Sequence, residues 1–190
     1  MLGFAMAIPP SQSGWRDGII EAWIERIARG DKEALALLYE QTYAAVYGFA
    51  LSILKDKHDA QDVSQDAYLQ IWAAAGSYTA AGKPLAWIFT ITRNLARMRL
   101  RERMRTAVIS PEDWGNLFDH APSADQEDRL ILESLLGTLA DEERQIVVLH
   151  AMSGLKHREI AALLGLGLPT VLSKYSRALK KLRSALKEAN

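Results

Sequence analysis

The sequence predicts an all-α protein with two helical domains joined by an acidic linker, the C-terminal domain being a helix-turn-helix. Three observations predict it. Apolar residues recur at three and four positions along most of the 190 residues, and no useful length alternates with period two. Gly165 and Pro169 punctuate two adjacent apolar stripes near the C-terminus, the pattern of two helices around a tight turn. Between about Thr106 and Asp125 periodicity gives way to Pro, Gly, Asn and Asp, the composition of a connector.

The elements follow in order. A first helix over Trp15 to Ala28 carries Ile20, Trp23, Ile24 and Ile27 on one face, and Gly30 ends it. Asp31 is a ready N-cap for a long apolar helix from Lys32 to Leu54. Its inward face is Leu35, Leu38, Tyr39, Thr42, Val46, Phe49, Ala50 and Ile53. Asp56–Asp59 reads as a turn, and Ala60 to Ala75 as a third helix. The segment Gly76–Lys83 is a loop, and Pro84 starts a helix ending near Arg105. Beyond the connector lie helices Gln126–Leu139 and Asp141–Met152, then the helix-turn-helix. The domains are therefore 15–105 and 126–190, with 106–125 between them.

In the first helix of that motif Ile160, Leu163 and Leu164 share a face, and Gly165 suits the positive φ of a tight turn. In the second, Val171, Tyr175, Ala178, Leu182 and Leu186 form the packed stripe. Ser173, Lys174, Arg177, Lys180, Lys181 and Arg183 fill the other positions. A helix of this kind places its first turns against base edges and its later cations against phosphates. The plainer reading is an amphipathic helix with a solvated basic face; the turn and preceding helix argue against it.

Composition narrows the function. The formal net charge is zero, yet charge is segregated. Residues 1–92 carry −3, 93–105 carry +5, 106–153 carry −8 and 154–190 carry +6. Two basic blocks separated by an acidic stretch suggest two nucleic-acid contacts. Cysteine is absent, which excludes disulfides and thiolate ligands and fits a reducing compartment. The four His are scattered and no HExxH motif exists, so no metal or other cofactor is expected. The N-terminus has no basic segment before its short apolar stretch, a poor signal peptide, and Met6 is a second candidate start. No apolar run approaches the ~18 residues of a membrane span.

Two further features carry chemistry. Asp59, Asp62 and Asp66, with Gln65 beside them, share one face of the third helix, opposite Val63, Ala67 and Ile71. Such a stripe fits docking to a basic partner helix; more often it is merely solvated, and helix N-termini favour acids anyway. In the following loop and helix, Tyr78, Trp87 and Phe89 lie near Lys83, Arg93, Asn94 and Arg97. Rings stack on unstacked bases, amides read edges and cations hold phosphates. The plainer reading puts Trp87, Phe89 and Ile91 in the core; the spacing of Ile88, Ile91 and Leu95 supports it for those three, Trp87 sits at the stripe's edge, and Tyr78 is the better stacking candidate.

These blocks together resemble bacterial sigma factors of the small extracytoplasmic-function (ECF) type, built from the second and fourth sigma-70 regions. DAQDVSQDAYLQIW is similar to the segment that binds the clamp helices of RNA polymerase. KPLAWIFTITRNLARMRLRERMR is similar to the helix reading the −10 element. LADEERQIVVLHAMSGLKHREIAALLGLGLPTVLSKYSRALKKLR is similar to the region reading the −35 element. The resemblance covers most of residues 32–187.

It implies a cytoplasmic transcription initiation factor, not an enzyme. Such a factor binds core RNA polymerase and promoter DNA, and an anti-sigma factor holds it until a signal arrives. By the resemblance Asp59, Asp62, Gln65 and Asp66 dock on polymerase. Ser77, Tyr78, Thr79, Lys83, Trp87, Arg93, Asn94, Arg97 and Arg101 fall where the −10 strand is held and a base is captured. Lys156, Pro169, Thr170, Leu172, Ser173, Lys174, Arg177, Lys180 and Lys181 fall on the −35 surface. The acidic linker matches the segment that threads toward the polymerase active site.

Departures mark this chain. Pro169-Thr170-Val171 stands where Gly-Thr-Val is common, and Leu172 where a polar residue is frequent. A Leu facing the groove can read a thymine methyl. Met98 occupies the place of a frequent Asp, and no Pro precedes Asp141. Two other classes stay open on the residues alone. A conventional helix-turn-helix regulator with an N-terminal dimerisation or ligand domain explains the C-terminus but not the second basic block. A small helical enzyme lacks any Ser/His/Asp arrangement, phosphate loop or carboxylate pair.

Overall fold

The computed structural model describes residues 13–106 and 136–188. Among these the backbone forms seven α-helices, one 3-10 turn and no strand. The leader, the linker and all but the last turn of the helix expected over Gln126–Leu139 lie outside the described residues.

Helix α1, Ser13–Ala28, buries Ile20, Ile24 and Ile27 completely or nearly so. Gly30, at φ +87°, turns the chain into α2, Lys32–Leu54. Asp31 caps α2 by accepting from the amides of Glu33 and Ala34 at 2.9 and 3.1 Å. The Ala34 bond, then Arg26, holds its carboxyl below the ordinary value. At the other end Lys55 takes φ +56°, its N–H closing on the Leu51 carbonyl.

Helix α3 runs Lys57–Ala74. It starts three residues before the expected Ala60, because the Asp56 carboxylate caps it by accepting from the Asp59 amide at 2.9 Å. A 3-10 turn, Ala75–Ser77, leads to the loop 78–83, and α4 spans Pro84–Thr106. Lys83 accepts the first helical bond of α4, from Trp87, so Pro84 sits where no N–H is needed.

Helix α2 is the axis of the molecule, and α1, α3 and α4 all pack on it. Phe49 and Phe89 meet edge-on at 5.6 Å within this core, where Leu38, Leu51, Ile71 and Ile88 are also fully buried. Phe89 is thus a core residue, 1 % exposed, and no part of a base-stacking surface. Tyr39, expected to face inward, is 40 % exposed at the end of a tyrosine cluster with Tyr43 and Tyr68.

The C-terminal helices are α5, Asp141–Ser153, α6, His157–Leu164, and α7, Leu168–Glu188. Gly154 ends α5 at φ +74°, and Gly165 ends α6 at φ +71°. Beyond Gly165 the Leu166 N–H reaches the Ala161 carbonyl at 2.9 Å, the tight turn its sequence called for. Ile146, Leu149, Ile160, Leu163, Val171 and Ala178 close the small core. The buried Arg144 guanidinium donates to the carbonyls of Leu136 and Leu139 at 2.9 and 2.8 Å.

The two sets of helices are packed together. Helix α5 lies against α2, and α6 against α4. Gly48 of α2 makes the approach close: a Cβ there would stand 3.1 Å from Met152 Sδ and 3.5 Å from Val148 Cγ1. Lys55 Nζ meets Asp141 Oδ1 at 3.0 Å across the same seam. No helix of the described residues is long and apolar enough to cross a membrane.

Candidate nucleic-acid and docking surfaces

The basic block of α4 divides into two faces. Arg99 and Arg103 turn toward α3: Arg99 Nε meets Asp59 Oδ1 at 2.7 Å, and Arg103 Nη1 meets Asp59 Oδ2 at 3.1 Å. Arg103 also reaches Asp56 at 3.4 Å. Arg93, Arg97 and Arg101, spaced by four, form the other face, with Asn94 beside them. Arg97, Arg101 and Asn94 are exposed. Arg93 is half-buried and donates to the Leu164 carbonyl at 2.8 Å. That carbonyl is the last of α6, so the guanidinium caps the negative end of the helix dipole.

The acidic stripe of α3 divides likewise. Asp59 is 8 % exposed, with both oxygens on arginines, so it ties α3 to α4 rather than facing a partner. Asp62, Gln65 and Asp66 are exposed, and among the described residues Asp62 alone of them touches a cation, Arg99 at 3.4 Å. Leu69, one turn further along that face, is 68 % exposed. The outward patch is acidic at one end and apolar at the other.

The loop after α3 is held from behind by a residue that its own neighbourhood gives no hint of. Glu21 Oε1 of α1 accepts both the Tyr78 hydroxyl and the Gly82 amide, each at 2.8 Å. Gly82 takes φ +66°, which a side chain would resist. Burial, then the Glu21 bond, raises the Tyr78 hydroxyl to about 12, so it remains a donor. Its ring is half-buried and tilted on Trp87, centroids 4.9 Å apart. Ser77 donates to the Ala74 carbonyl at 2.8 Å, and Thr79 and Lys83 are exposed.

Helix α7 presents Pro169, Thr170, Leu172 and Ser173 to solvent over its first turn, Leu172 at 47 %. Lys156 and Lys180 are exposed too. Three other cations of the helix lie against the acidic first turn of α5. Lys174 Nζ meets Glu142 at 2.8 Å, Lys181 Nζ meets Glu143 at 2.7 Å, and Arg177 Nε meets Glu143 at 3.8 Å. Burial pushes the Glu143 carboxyl up, but the Lys181 bond, the Ala140 amide and the Lys181 and Arg177 charges outweigh it and hold it below the ordinary value. Sequence spacing could not show this pairing, because the acids lie more than thirty residues before the cations.

Behind α7 the rings of His150, His157 and Tyr175 touch in a triangle, with centroids 4.5 to 4.9 Å apart. His150 Nδ1 pairs with the Leu155 carbonyl at 2.9 Å, whereas His157 Nε2 is buried without a partner. Burial, then His150, holds His157 below its ordinary value. The unfolded chain therefore takes up a proton near pH ~6.5 that the folded chain refuses. Stability conferred by neutral His157 is complete above that pH and declines as pH falls toward the folded value. Thermal melts between pH 7.5 and 5.5 should show a falling Tm that His157→Phe flattens; parallel curves for the two proteins would contradict this.

Residues 38–106 match the family model of Sigma-70 region 2, and residues 129–182 that of Sigma-70, region 4. The chain is 31 % identical over 189 residues to the ECF RNA polymerase sigma factor SigK of Mycobacterium ulcerans, spanning 95 % of this chain and 98 % of that one. It is 29 % identical over 175 residues to SigK of Mycobacterium tuberculosis, spanning 88 % and 93 %. Among solved structures it resembles CnrH in complex with the cytosolic domain of CnrY, at 27 % identity and a TM-score of 0.62, over 90 % of this chain and 99 % of that one. It also resembles the sigma factor RpoE in complex with the anti-sigma factor NepR from Bartonella quintana, at 28 % identity and a TM-score of 0.60, over 80 % and 94 %.

Proposed function

This chain belongs to the sigma-70 family as an ECF RNA polymerase sigma factor, and from that premise we propose how its surfaces divide the work. As a sigma factor it binds core RNA polymerase and directs promoter-specific initiation. The finer assignments are our reading. A domain over 15–105 docks on polymerase and holds the −10 strand; 106–125 connects; a domain over 126–190 anchors the −35 duplex. The factor acts in the cytoplasm beside polymerase, and an anti-sigma factor holds it until a signal arrives. The solved relatives bound to CnrY and to NepR support that last partner.

The observation that carries the reading is the separation of three surfaces on one chain. They are an exposed acidic patch at Asp62, Gln65 and Asp66, a basic face at Arg97 and Arg101 beside a braced loop, and a helix-turn-helix. A conventional regulator needs only the third. The polymerase-docking face is Asp62, Gln65 and Asp66, with Asp59 supporting it from inside. Ser77, Tyr78, Thr79, Lys83 and Trp87 form the capture loop and its wall, and Asn94, Arg97 and Arg101 track the strand.

Arg93 belongs to the −10 surface only once it leaves Leu164. The two elements are named for positions about 25 base pairs apart, about 85 Å of duplex at ~3.4 Å per pair. A compact body of this length is only about 40 Å across. In the packed arrangement α4 and α6 touch. Reading both elements at once therefore requires α5–α7 to leave α2. Residues 107–135 can span at most about 100 Å at ~3.4 Å per residue, so the chain permits the move.

Run-off transcription tests the function. The protein alone should bind duplex promoter poorly and direct specific initiation once core polymerase is added. Tight operator binding without polymerase, and no initiation with it, would favour the regulator instead. On the −35 side, Lys174→Ala with Arg177→Ala should weaken promoter binding by about 1–3 kcal/mol if the pair reaches bases. If they reach phosphates, the salt slope falls by about two units while sequence preference stays. Unchanged promoter use at all salt concentrations would remove both residues from the −35 surface.

A further inference from the structure

Nothing in the family matches assigns α1, which ends at Ala28, ten residues before the region 2 match begins at residue 38. Yet α1 supplies the carboxylate that shapes the loop between α3 and α4. Glu21 Oε1 receives two donors 57 and 61 residues away in sequence. One donor, Tyr78, opens the loop, and the other, Gly82, stands next to its last residue, Lys83. A single oxygen thus pins both ends of a five-residue span. The Tyr78 amide also closes the preceding 3-10 turn on the Ala75 carbonyl at 3.1 Å, so the residue is held by backbone and side chain together.

Electrostatics makes the placement informative. A carboxylate under a surface meant for a polyanion is unfavourable for binding in itself, because it repels phosphate. Its value must lie in shape. Charge-assisted bonds to an ionised acceptor are about twice as strong as neutral ones, and a capture site gains affinity when its walls need no reordering. An extruded base must find its pocket already built, since leaving the stack costs a few kcal/mol.

We infer that Glu21 is a positioning residue for promoter opening: it holds the Tyr78–Gly82 loop, with the Tyr78 ring on Trp87, in the form that receives the extruded −10 base. The inference rests on reading that loop as the capture element. Glu21 touches no base. It acts through Tyr78 and Gly82, so it controls opening and base choice rather than polymerase affinity.

The test uses holoenzyme reconstituted from the full chain and core polymerase. Initiation is measured on promoters carrying each of the four bases at the captured position, as duplex and as pre-melted template. Glu21→Leu, which removes both charge-assisted hydrogen bonds, should lose at least about tenfold in duplex opening and in discrimination among the four bases. Tyr78→Phe, which loses one of the two bonds, should show a smaller loss of the same kind. Glu21→Gln keeps an acceptor oxygen in place and should restore the base profile. Pre-melted template should recover most of the rate, and affinity for core polymerase should stay unchanged. If Tyr78→Ala alters base choice but Glu21→Leu does not, Glu21 has no positioning role. If Tyr78→Ala and Lys83→Ala both leave base choice intact, the capture-loop reading fails, and the inference with it. Equal losses in Leu and Gln variants, together with weaker polymerase binding, would mean that Glu21 serves only general stability.

Discussion

Asp62→Arg combined with Asp66→Arg is expected to abolish assembly with core RNA polymerase while leaving the helical fold intact. Both side chains are exposed on α3, and neither is part of the core. Asp62 has one weak tie, Arg99 at 3.4 Å, with 61 % of its own side chain open to solvent. Such a pair contributes about 0–1 kcal/mol, so the fold survives its loss. Docking is affected differently. Two attractions are removed and two like-charge contacts created, and like charges across an interface cost several kcal/mol. Affinity should fall at least about a hundredfold, read by native gel shift or surface binding to core polymerase. Circular dichroism should be unchanged. Holoenzyme forming at normal affinity would show that α3 docks elsewhere or not at all. Asp59→Asn is the informative contrast, since it removes the single negative charge of a buried carboxylate held by Arg99 and Arg103 and turns one of its two acceptor oxygens into an amide donor. Its effect should appear in the melt, where losing a partly buried ion-pair cluster is felt, before it appears in docking.

The second large effect is expected at Gly48. Replacing it with Gln should separate α5–α7 from α2. The new Cβ would stand 3.1 Å from Met152 Sδ and 3.5 Å from Val148 Cγ1. The thioether end can swing aside for a methyl group, but a longer polar chain at this buried seam has no such room. Helix α2 itself gains, because mid-helix Gly costs roughly 0.5–1 kcal/mol relative to Ala. The ties of Arg93 to the Leu164 carbonyl and of Lys55 to Asp141 across the seam would open with it. Small-angle scattering should show a larger radius of gyration, and assembly with polymerase should speed up because the opening step is already made. Wild-type dimensions for the Gln variant would mean that the seam tolerates the side chain and that Gly48 does not control closure.

Much of the fold is legible in the sequence, for local reasons. The spacing of apolar residues and the Asp31 cap located α2 at the bounds observed, Lys32–Leu54. Gly165 was readable as the turn of the helix-turn-helix because only a residue without Cβ takes its φ of +71° easily. Helix α3 starts three residues before the Ala60 that its sequence suggests, because Asp56 acts as a cap rather than as part of a turn. Phe89 and Tyr39 were harder. Each lies near the edge of its helical stripe, where spacing alone does not tell core from surface, and packing put one inside and the other out.

Site residues were legible as types and positions, less so as partners. The acidic stripe was visible as three Asp on one face; that the first is consumed by Arg99 and Arg103 depends on how α3 crosses α4. The basic character of α7 was plain, yet its pairing with Glu142 and Glu143 depends on where α5 lies. Glu21 left no signal, since its partners lie 57 and 61 residues downstream.

Neighbours within a few residues, or ordered blocks of them, carry the helical class, most of the helix ends, the segregation of charge and the family. Which charges face outward, the bracing of the loop by Glu21 and the closure of the C-terminal helices against α2 at Gly48 emerge once the helices are packed. One cause runs through all three. Helix formation depends on contacts three and four residues apart, whereas the fate of a charge depends on which helix crosses it, and crossing is set by the packing of the whole core.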